Sequence, residues 1–209
     1  SKEARELEKV KKAFADAYRE NVKTGSKDGK DAKYSLSDSD GKQLTKEQQE
    51  YFKDSKVRDE NGNLKVMYHG TSKGGFNTFD TYGSNYGLFG TGSYFTDSKS
   101  IAESYTNKGK GTNKQVYETY LNITSPMDMD APANPEEWAK AFPDATFPAS
   151  GTNEDFYRAL EEFYADEEWV KWEAAEDAVE GIRGMGYDGI THIGGGRVNA
   201  DGERHQVYI

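Results

Sequence analysis

Two stretches restrict this chain more than any others: Val66-Met67-Tyr68-His69-Gly70-Thr71 and Gly90-Thr91-Gly92-Ser93-Tyr94-Phe95. The first reads as a strand ending on a polar tripeptide. The second is a glycine-loosened run into another strand, one that carries a tyrosine. Apolar–polar alternation puts Leu64, Val66 and Tyr68 on one face and Lys65, Met67 and His69 on the other. His-Gly-Thr at a strand end, about twenty residues before Gly-x-Gly-x-Tyr-Phe, makes poor core filler. The chemistry is expected here.

The flanking sequence supplies helices and turns. Leu7, Val10, Phe14, Tyr18 and Val22 recur at helical spacing, an amphipathic helix over residues 1–22, and residues 23–44 read as a linker. Thr45 is placed to cap a short helix through Phe52, with Gln48 at the capping-box position. Asn61-Gly62 is the turn of a hairpin spanning Val57 to His69, because both residues tolerate positive φ. Residues 72–90 form a long loop of Gly, Asn, Tyr and Phe without period. Asp97 is expected to cap a helix over residues 98–106. A basic loop with Lys108, Lys110 and Lys114 then leads to a β-branched and aromatic strand from Val116 to Ile123. Asn134-Pro135 opens a short helix. One or two helices follow over residues 153–183, with stripes Phe156/Leu160/Phe163 and Trp169/Trp172/Val179/Ile182. Gly189 to Ile193 and Gln206 to Ile209 read as late strands. The expected domains are 1–44, helix and linker, and 45–209, with a helical insertion over about 125–183.

Composition removes several classes of function. The chain has no cysteine, so thiol catalysis, disulfides and zinc–thiolate sites are excluded. Its three histidines are far apart without suitable carboxylate spacing, so no metal site is expected, and His192 and His205 read as structural. The glycines at 194–196 lack the spacing and following helix of a dinucleotide fingerprint. Net charge is −10, and residues 152–182 alone carry eleven acidic against two basic groups. An acidic chain is a poor non-specific nucleic-acid binder, although a local basic site is compatible with it. No apolar run reaches membrane-spanning length, and the charged N-terminus has no export signal, which points to the cytoplasm.

Tyr68-His69-Gly70-Thr71, then Gly90-x-Gly92-x-Tyr94-Phe95-x-Asp97, then Tyr105 eleven residues beyond Tyr94, resembles the His-Tyr-Glu class of ADP-ribosyltransferases. The closer likeness is to the ADP-ribosyltransferase domains of large polyvalent proteins of phages and mobile elements. Residues 57–105 and 184–209 carry it. The resemblance implies an α+β fold of split, mainly antiparallel sheets around an NAD cleft. It implies NAD as substrate, no metal, no membrane, and an acceptor that is a protein or a nucleic acid. A larger multidomain parent protein and the cytoplasm of a bacterial host cell fit the same likeness.

By the same resemblance, His69 would bond a hydroxyl of the nicotinamide ribose, and Gly70, with Thr71 beside it, would meet the carboxamide through its backbone. Tyr94 and Tyr105 would sandwich the nicotinamide ring, at about 0.5–1.5 kcal/mol per stacking contact. Relatives place a glutamate at the start of the late strand. Here that strand reads Glu203-Arg204-His205-Gln206-Val207-Tyr208-Ile209. Strand alignment gives Gln206 as the third catalytic position and alignment on the tyrosine gives Val207; parity favours Gln206, with Glu203 or residues beyond Ile209 as further alternatives. The function implied is mono-ADP-ribosyl transfer. The alternatives are NAD hydrolysis, RNA 2′-phosphate transfer using Arg197 and Arg204, or a degenerate NAD-binding or interaction module.

Overall fold

The computed structural model describes residues 36–79, 86–166, 171–195 and 202–209. The helix expected over residues 1–22, with Trp169 and Arg197, lies outside them, and the Trp172 side chain is likewise not described. Thr45 caps α1 (Lys46–Tyr51) with the complete reciprocal box to Gln48. The turn forms one residue earlier than read: the Gly62 N–H donates to the Asp59 carbonyl at 3.0 Å, so Glu60 and Asn61 are its central pair and Gly62, at φ +82°, closes it. Asp59 ties it by accepting from the backbone N–H groups of Asn61 and Asn63 at 2.9 and 2.8 Å. The arms on either side make only the Arg58–Leu64 bridge, so regular pairing begins at β1 (Met67–Thr71).

Two short strands that pair with each other follow, β2 (Tyr86–Gly87) and β3 (Gly90–Thr91), then β4 (Phe95–Thr96) and α2 (Lys99–Tyr105). The strand expected to Ile123 is β5, Gln115–Thr119. It stops there because Thr119 pairs with Met67, the first residue of β1. Beyond that point the Leu121 and Ile123 carbonyls accept from the Ser55 hydroxyl and the Lys56 N–H, each at 2.7 Å. β6 (Pro126–Asp128) was not anticipated. α3 (Pro135–Ala141) opens on Asn134-Pro135 as expected, and α4 (Asn153–Asp166) and α5 (Lys171–Gly184) are separate helices. β7 (Gly189–Gly194) and β8 (His205–Tyr208) complete the order.

Six strands make one sheet in the order β5-β1-β4-β8-β7-β6, antiparallel except for β6 beside β7. The fold is α+β. In place of the expected split sheets there is one continuous sheet, which thins between β1 and β4: β5 accompanies all five residues of β1, whereas β4 meets β1 only at Tyr68↔Thr96. Helices α3, α4 and α5 cover β6 and β7 through a core of Met127, Ile190, Trp138, Phe156, Leu160 and Ile182. The other face carries Val57, Met67, Phe95 and Tyr208.

Residues 36–44, read as linker, are attached to this domain. Asp38 is buried, it accepts from the Tyr120 hydroxyl at 2.6 Å, and the Ser39 N–H donates to the Leu64 carbonyl. No helix among the described residues is long and apolar enough to cross a membrane.

Candidate active site

The register fixes which side chains share a face. Tyr68 lies opposite Thr96, and Thr96 opposite Val207, so these three point one way. His69, Phe95, Gln206 and Tyr208 therefore point the other way. His69 sits in a ring of aromatics, with centroids 5.2 Å from Phe79, 5.5 Å from Phe95, and 6.4 Å from both Phe76 and Tyr117. Its Nδ1 is 2.8 Å from the Tyr94 carbonyl oxygen. Because a carbonyl can only accept, Nδ1 carries the proton, and in the neutral ring Nε2 is left with a lone pair. Nε2 has no hydrogen-bond partner among the described residues. Burial holds His69 below its ordinary pKa of 6.5, with the Tyr94 hydrogen bond opposing in part. The ring is thus a neutral acceptor at pH 7.

Tyr94 is fixed at both ends. Its hydroxyl accepts the Phe89 N–H at 3.1 Å and donates to the Gly90 carbonyl at 3.0 Å. Its ring lies so close to Gly87 that a Cβ there would be 2.2 Å from Cζ. The 87–90 turn and Tyr94 thus hold one another, and His69 and Tyr94 meet where β1 and β4 part.

Gly70 faces α2. A Cβ on it would lie 1.7 Å from the Ala102 carbonyl oxygen, so helix packing alone forbids a side chain here. The resemblance implies that a ligand meets the Gly70 backbone; packing against α2 is an independent requirement for glycine at this position. Thr71 ends β1 and its hydroxyl accepts the Lys73 N–H at 3.1 Å. Tyr105, at the end of α2, is 49% exposed, and Lys108 Nζ lies 3.7 Å above its ring. One face of that ring is therefore already covered.

Gln206 shares the His69 face. Its Nε2 donates to the Thr191 hydroxyl, which in turn donates to the Val207 carbonyl at 2.8 Å. This chain of donors fixes the amide orientation and leaves Oε1 without a hydrogen-bond partner among the described residues. Glu203 is held elsewhere: its two carboxylate oxygens accept from Ser98 at 3.1 Å and Ser100 at 3.4 Å, at the start of α2.

Asp97 has a different role from the one expected. Ser98, and not Asp97, caps α2. The Asp97 carboxylate instead accepts the Gln206 N–H at 2.8 Å and pairs with Lys65 Nζ at 2.8 Å, while its own N–H donates to the Gln206 carbonyl at 3.1 Å. It straps the start of β8 to the end of β4 and to the residues leading into β1. The only signal for this in the sequence was the aspartate of Tyr-Phe-x-Asp, and a capping role was the more local reading.

His192 is the other surprise. It is 4% exposed on β7, with its ring 4.9 Å from Phe89, and neither ring nitrogen has a hydrogen-bond partner among the described residues.

The arrangement offers a neutral imidazole acceptor, a β1 edge that β5 pairs at Gly70 but β4 does not, an immobilised tyrosine ring and an oriented amide oxygen. Residues 59–208 match the model of a family described as ADP-Ribosyltransferase in polyvalent proteins. No curated protein and no solved structure matches the chain.

Proposed function

The chain belongs to the ADP-ribosyltransferases of polyvalent proteins, and from that premise we propose that it transfers one ADP-ribose from NAD to a macromolecular acceptor and releases nicotinamide. The observation that carries this reading is the His69–Tyr94 contact at the point where β1 and β4 separate. There a ligand edge can reach Gly70 and Thr71 without breaking a strand ladder. His69 Nε2 accepts a hydrogen bond from a ribose hydroxyl, and Tyr94 and Tyr105 flank the nicotinamide, the latter with its Lys108-free face. Chain and ligand then meet in the reacting geometry without prior rearrangement of His69 or Tyr94.

The bond between ribose C1′ and the nicotinamide nitrogen breaks with its electron pair going to nicotinamide. That neutralises the pyridinium and leaves an oxocarbenium-like ribose. Gln206 Oε1 orients the ribose, and its carbonyl dipole opposes the developing positive charge more weakly than a carboxylate does. A neutral residue at this position suits a single transfer over elongation. The acceptor nucleophile forms the new bond to C1′ and loses its proton to solvent. The setting is the cytoplasm of a bacterial host cell, within a larger multidomain protein.

The test uses NAD labelled in the adenylate half, incubated with the chain and a bacterial lysate, with nicotinamide release and labelled macromolecules followed together. Both are expected from the parent and neither from His69→Ala. Equal nicotinamide release by the two proteins would refute the assignment of His69.

A further inference from the structure

The loop that follows α2 crosses the end of β1, and the two interlock. The Gly74 N–H donates to the Asn113 carbonyl at 2.6 Å, Asn113 Nδ2 donates back to the Gly74 carbonyl at 2.8 Å, and the Gly111 N–H donates to the Ser72 hydroxyl at 3.3 Å. Gly111 sits so close that a Cβ would be 2.2 Å from the Ser72 carbonyl oxygen. This double crossing gathers Lys73, Lys108, Lys110 and Lys114, all exposed, immediately beyond His69-Gly70-Thr71. Residues 70–79 and 104–117 contain no aspartate or glutamate; Asp80, Glu103 and Glu118 border them in sequence. Lys114 is braced by Asn107 Oδ1 at 2.7 Å, and Lys108 rests on the half-exposed Tyr105.

The charge of the chain is therefore segregated. The acidic helices α4 and α5 cover Met127 and Ile190 on β6 and β7, at the other end of the sheet from β5 and β1. Three to five strand spacings make about 14–24 Å. That is roughly two to three Debye lengths of ~8 Å at physiological salt, so the lysine rim presents its own field.

We propose that this rim binds single-stranded nucleic acid, which is the acceptor of the ADP-ribose. Four separate lysines exceed what the two charges of a dinucleotide pyrophosphate can use, but they match a row of singly charged phosphates. The outer face of Tyr105 offers a base a stacking surface once Lys108 swings aside, and lysines beside an exposed aromatic are the elements from which single-strand sites are built. A duplex, its bases already stacked, cannot use that ring, and an acidic peptide has no flat π-face to place on it. In the transfer, nicotinamide leaves with the electron pair of the broken C1′–N bond. An oxygen or nitrogen of the nucleic acid then bonds C1′ and gives up its proton. The acceptor role rests on the NAD-dependent reading above; the binding site does not.

The experiment uses the full chain and a fluorescein-labelled 20-nucleotide single strand, read by anisotropy without NAD. With four phosphate contacts, affinity should fall about 50-fold between 50 and 200 mM salt. The variant Lys73→Glu/Lys110→Glu/Lys114→Glu, which spares Lys108 because it touches Tyr105, should lose on the order of 10-fold or more in oligonucleotide affinity. It should keep its NAD affinity and its melting temperature, and the corresponding Lys→Gln triple variant should fall between it and the parent. With labelled NAD present, the parent should label the oligonucleotide and the charge-reversed variant should not.

Absence of binding, equal binding of a poly-glutamate peptide of the same charge, or lost NAD affinity in the charge-reversed variant would each overturn the proposal. The last would place the lysines on the pyrophosphate of NAD. A parent that binds the strand but releases no nicotinamide would remove the transferase reading and leave the nucleic-acid site standing.

Discussion

At the scale of single residues, the proposed site rests on two neutral groups, His69 and Gln206, held in defined orientations. His69 works as an acceptor only while Nε2 is unprotonated, and burial keeps its pKa below 6.5. Nicotinamide release should be flat with pH above about 6.5 and should fall as pH drops through the folded pKa, where Nε2 becomes a donor. A pH profile of kcat/KM that rises toward acid would contradict this orientation. His69→Ala should lower kcat/KM by about 100-fold or more if the ribose contact is made chiefly in the transition state. It should also cost a few degrees of melting temperature, because the Tyr94 carbonyl loses its donor. Gln206 has dipole without charge. Gln206→Glu should raise the rate of nicotinamide release by ~10-fold, since a full negative charge then faces the oxocarbenium. Thr191 must turn its hydroxyl from the Val207 carbonyl to the new carboxylate for this to happen. Gln206→Ala should lower the rate with little change in NAD affinity. If neither variant differs from the parent, Gln206 does not face the reaction.

At the scale of elements, short strands are positioned by side-chain straps because their ladders are too brief to do so. β4 has two residues and meets β1 at one pair. Asp97 compensates by holding Lys65 on one side and the Gln206 backbone on the other. Asp97→Ala leaves the Gln206 N–H and Lys65 without this acceptor, at about 1–3 kcal/mol for the unmet partners. For a chain of this size that is roughly 2–4 °C per kcal/mol. More tellingly, the catalytic cost of Asp97→Ala should largely vanish in a Gln206→Ala background, because the strap acts through that residue. Additive losses in the double variant would make Asp97 purely structural. The 87–90 turn follows the same logic, pinned by the Tyr94 hydroxyl and by Gly90 packed against α5, where a Cβ would come within 2.9 Å of Val179.

At the scale of the whole molecule, the conspicuous cost is His192, whose two ring nitrogens are buried without partners. Burial holds its pKa below 6.5, and the nearby Ile193 backbone opposes this without meeting hydrogen-bond geometry. Asp130 favours the charged ring, whereas His205 and Arg158 disfavour it. The sign follows from linkage. A histidine with a depressed folded pKa takes up its proton first in the unfolded chain, so stability is full above about 6.5 and declines as pH falls toward the folded value. His69 contributes in the same direction. His192→Leu removes an unpartnered polar group and should raise the melting temperature at pH 7 by a few degrees, of order 1 kcal/mol. It should also flatten the loss of stability below pH 6.5. A lower melting temperature at every pH would show that the imidazole is held by contacts other than burial.

What the sequence determined by itself is whatever a few neighbouring residues settle. Thr45 with Gln48 starts α1, Asn134-Pro135 starts α3, Gly62 turns the chain, and Phe156 with Leu160 sets the buried side of α4. Parity within a strand also followed directly: Met67 and His69 share a face opposite to Tyr68, and Gln206 faces away from Val207. The likeness of His69-Gly70-Thr71 and Tyr94 to a known pattern brought the two together, and the structure puts them in hydrogen-bond contact.

What only the tertiary structure decided are the partners at long range. Asp97 could cap the helix beside it or bond a strand more than a hundred residues away, and the sheet order chose the second. β5 stopped at Thr119 because β1 begins opposite it, and residues 36–44 were ordered by the Tyr120 hydroxyl and the Leu64 carbonyl. Local hydrogen bonds and periodicity are written in adjacent residues. Which buried polar atom finds which partner depends on the packing of strands that the chain order alone leaves free.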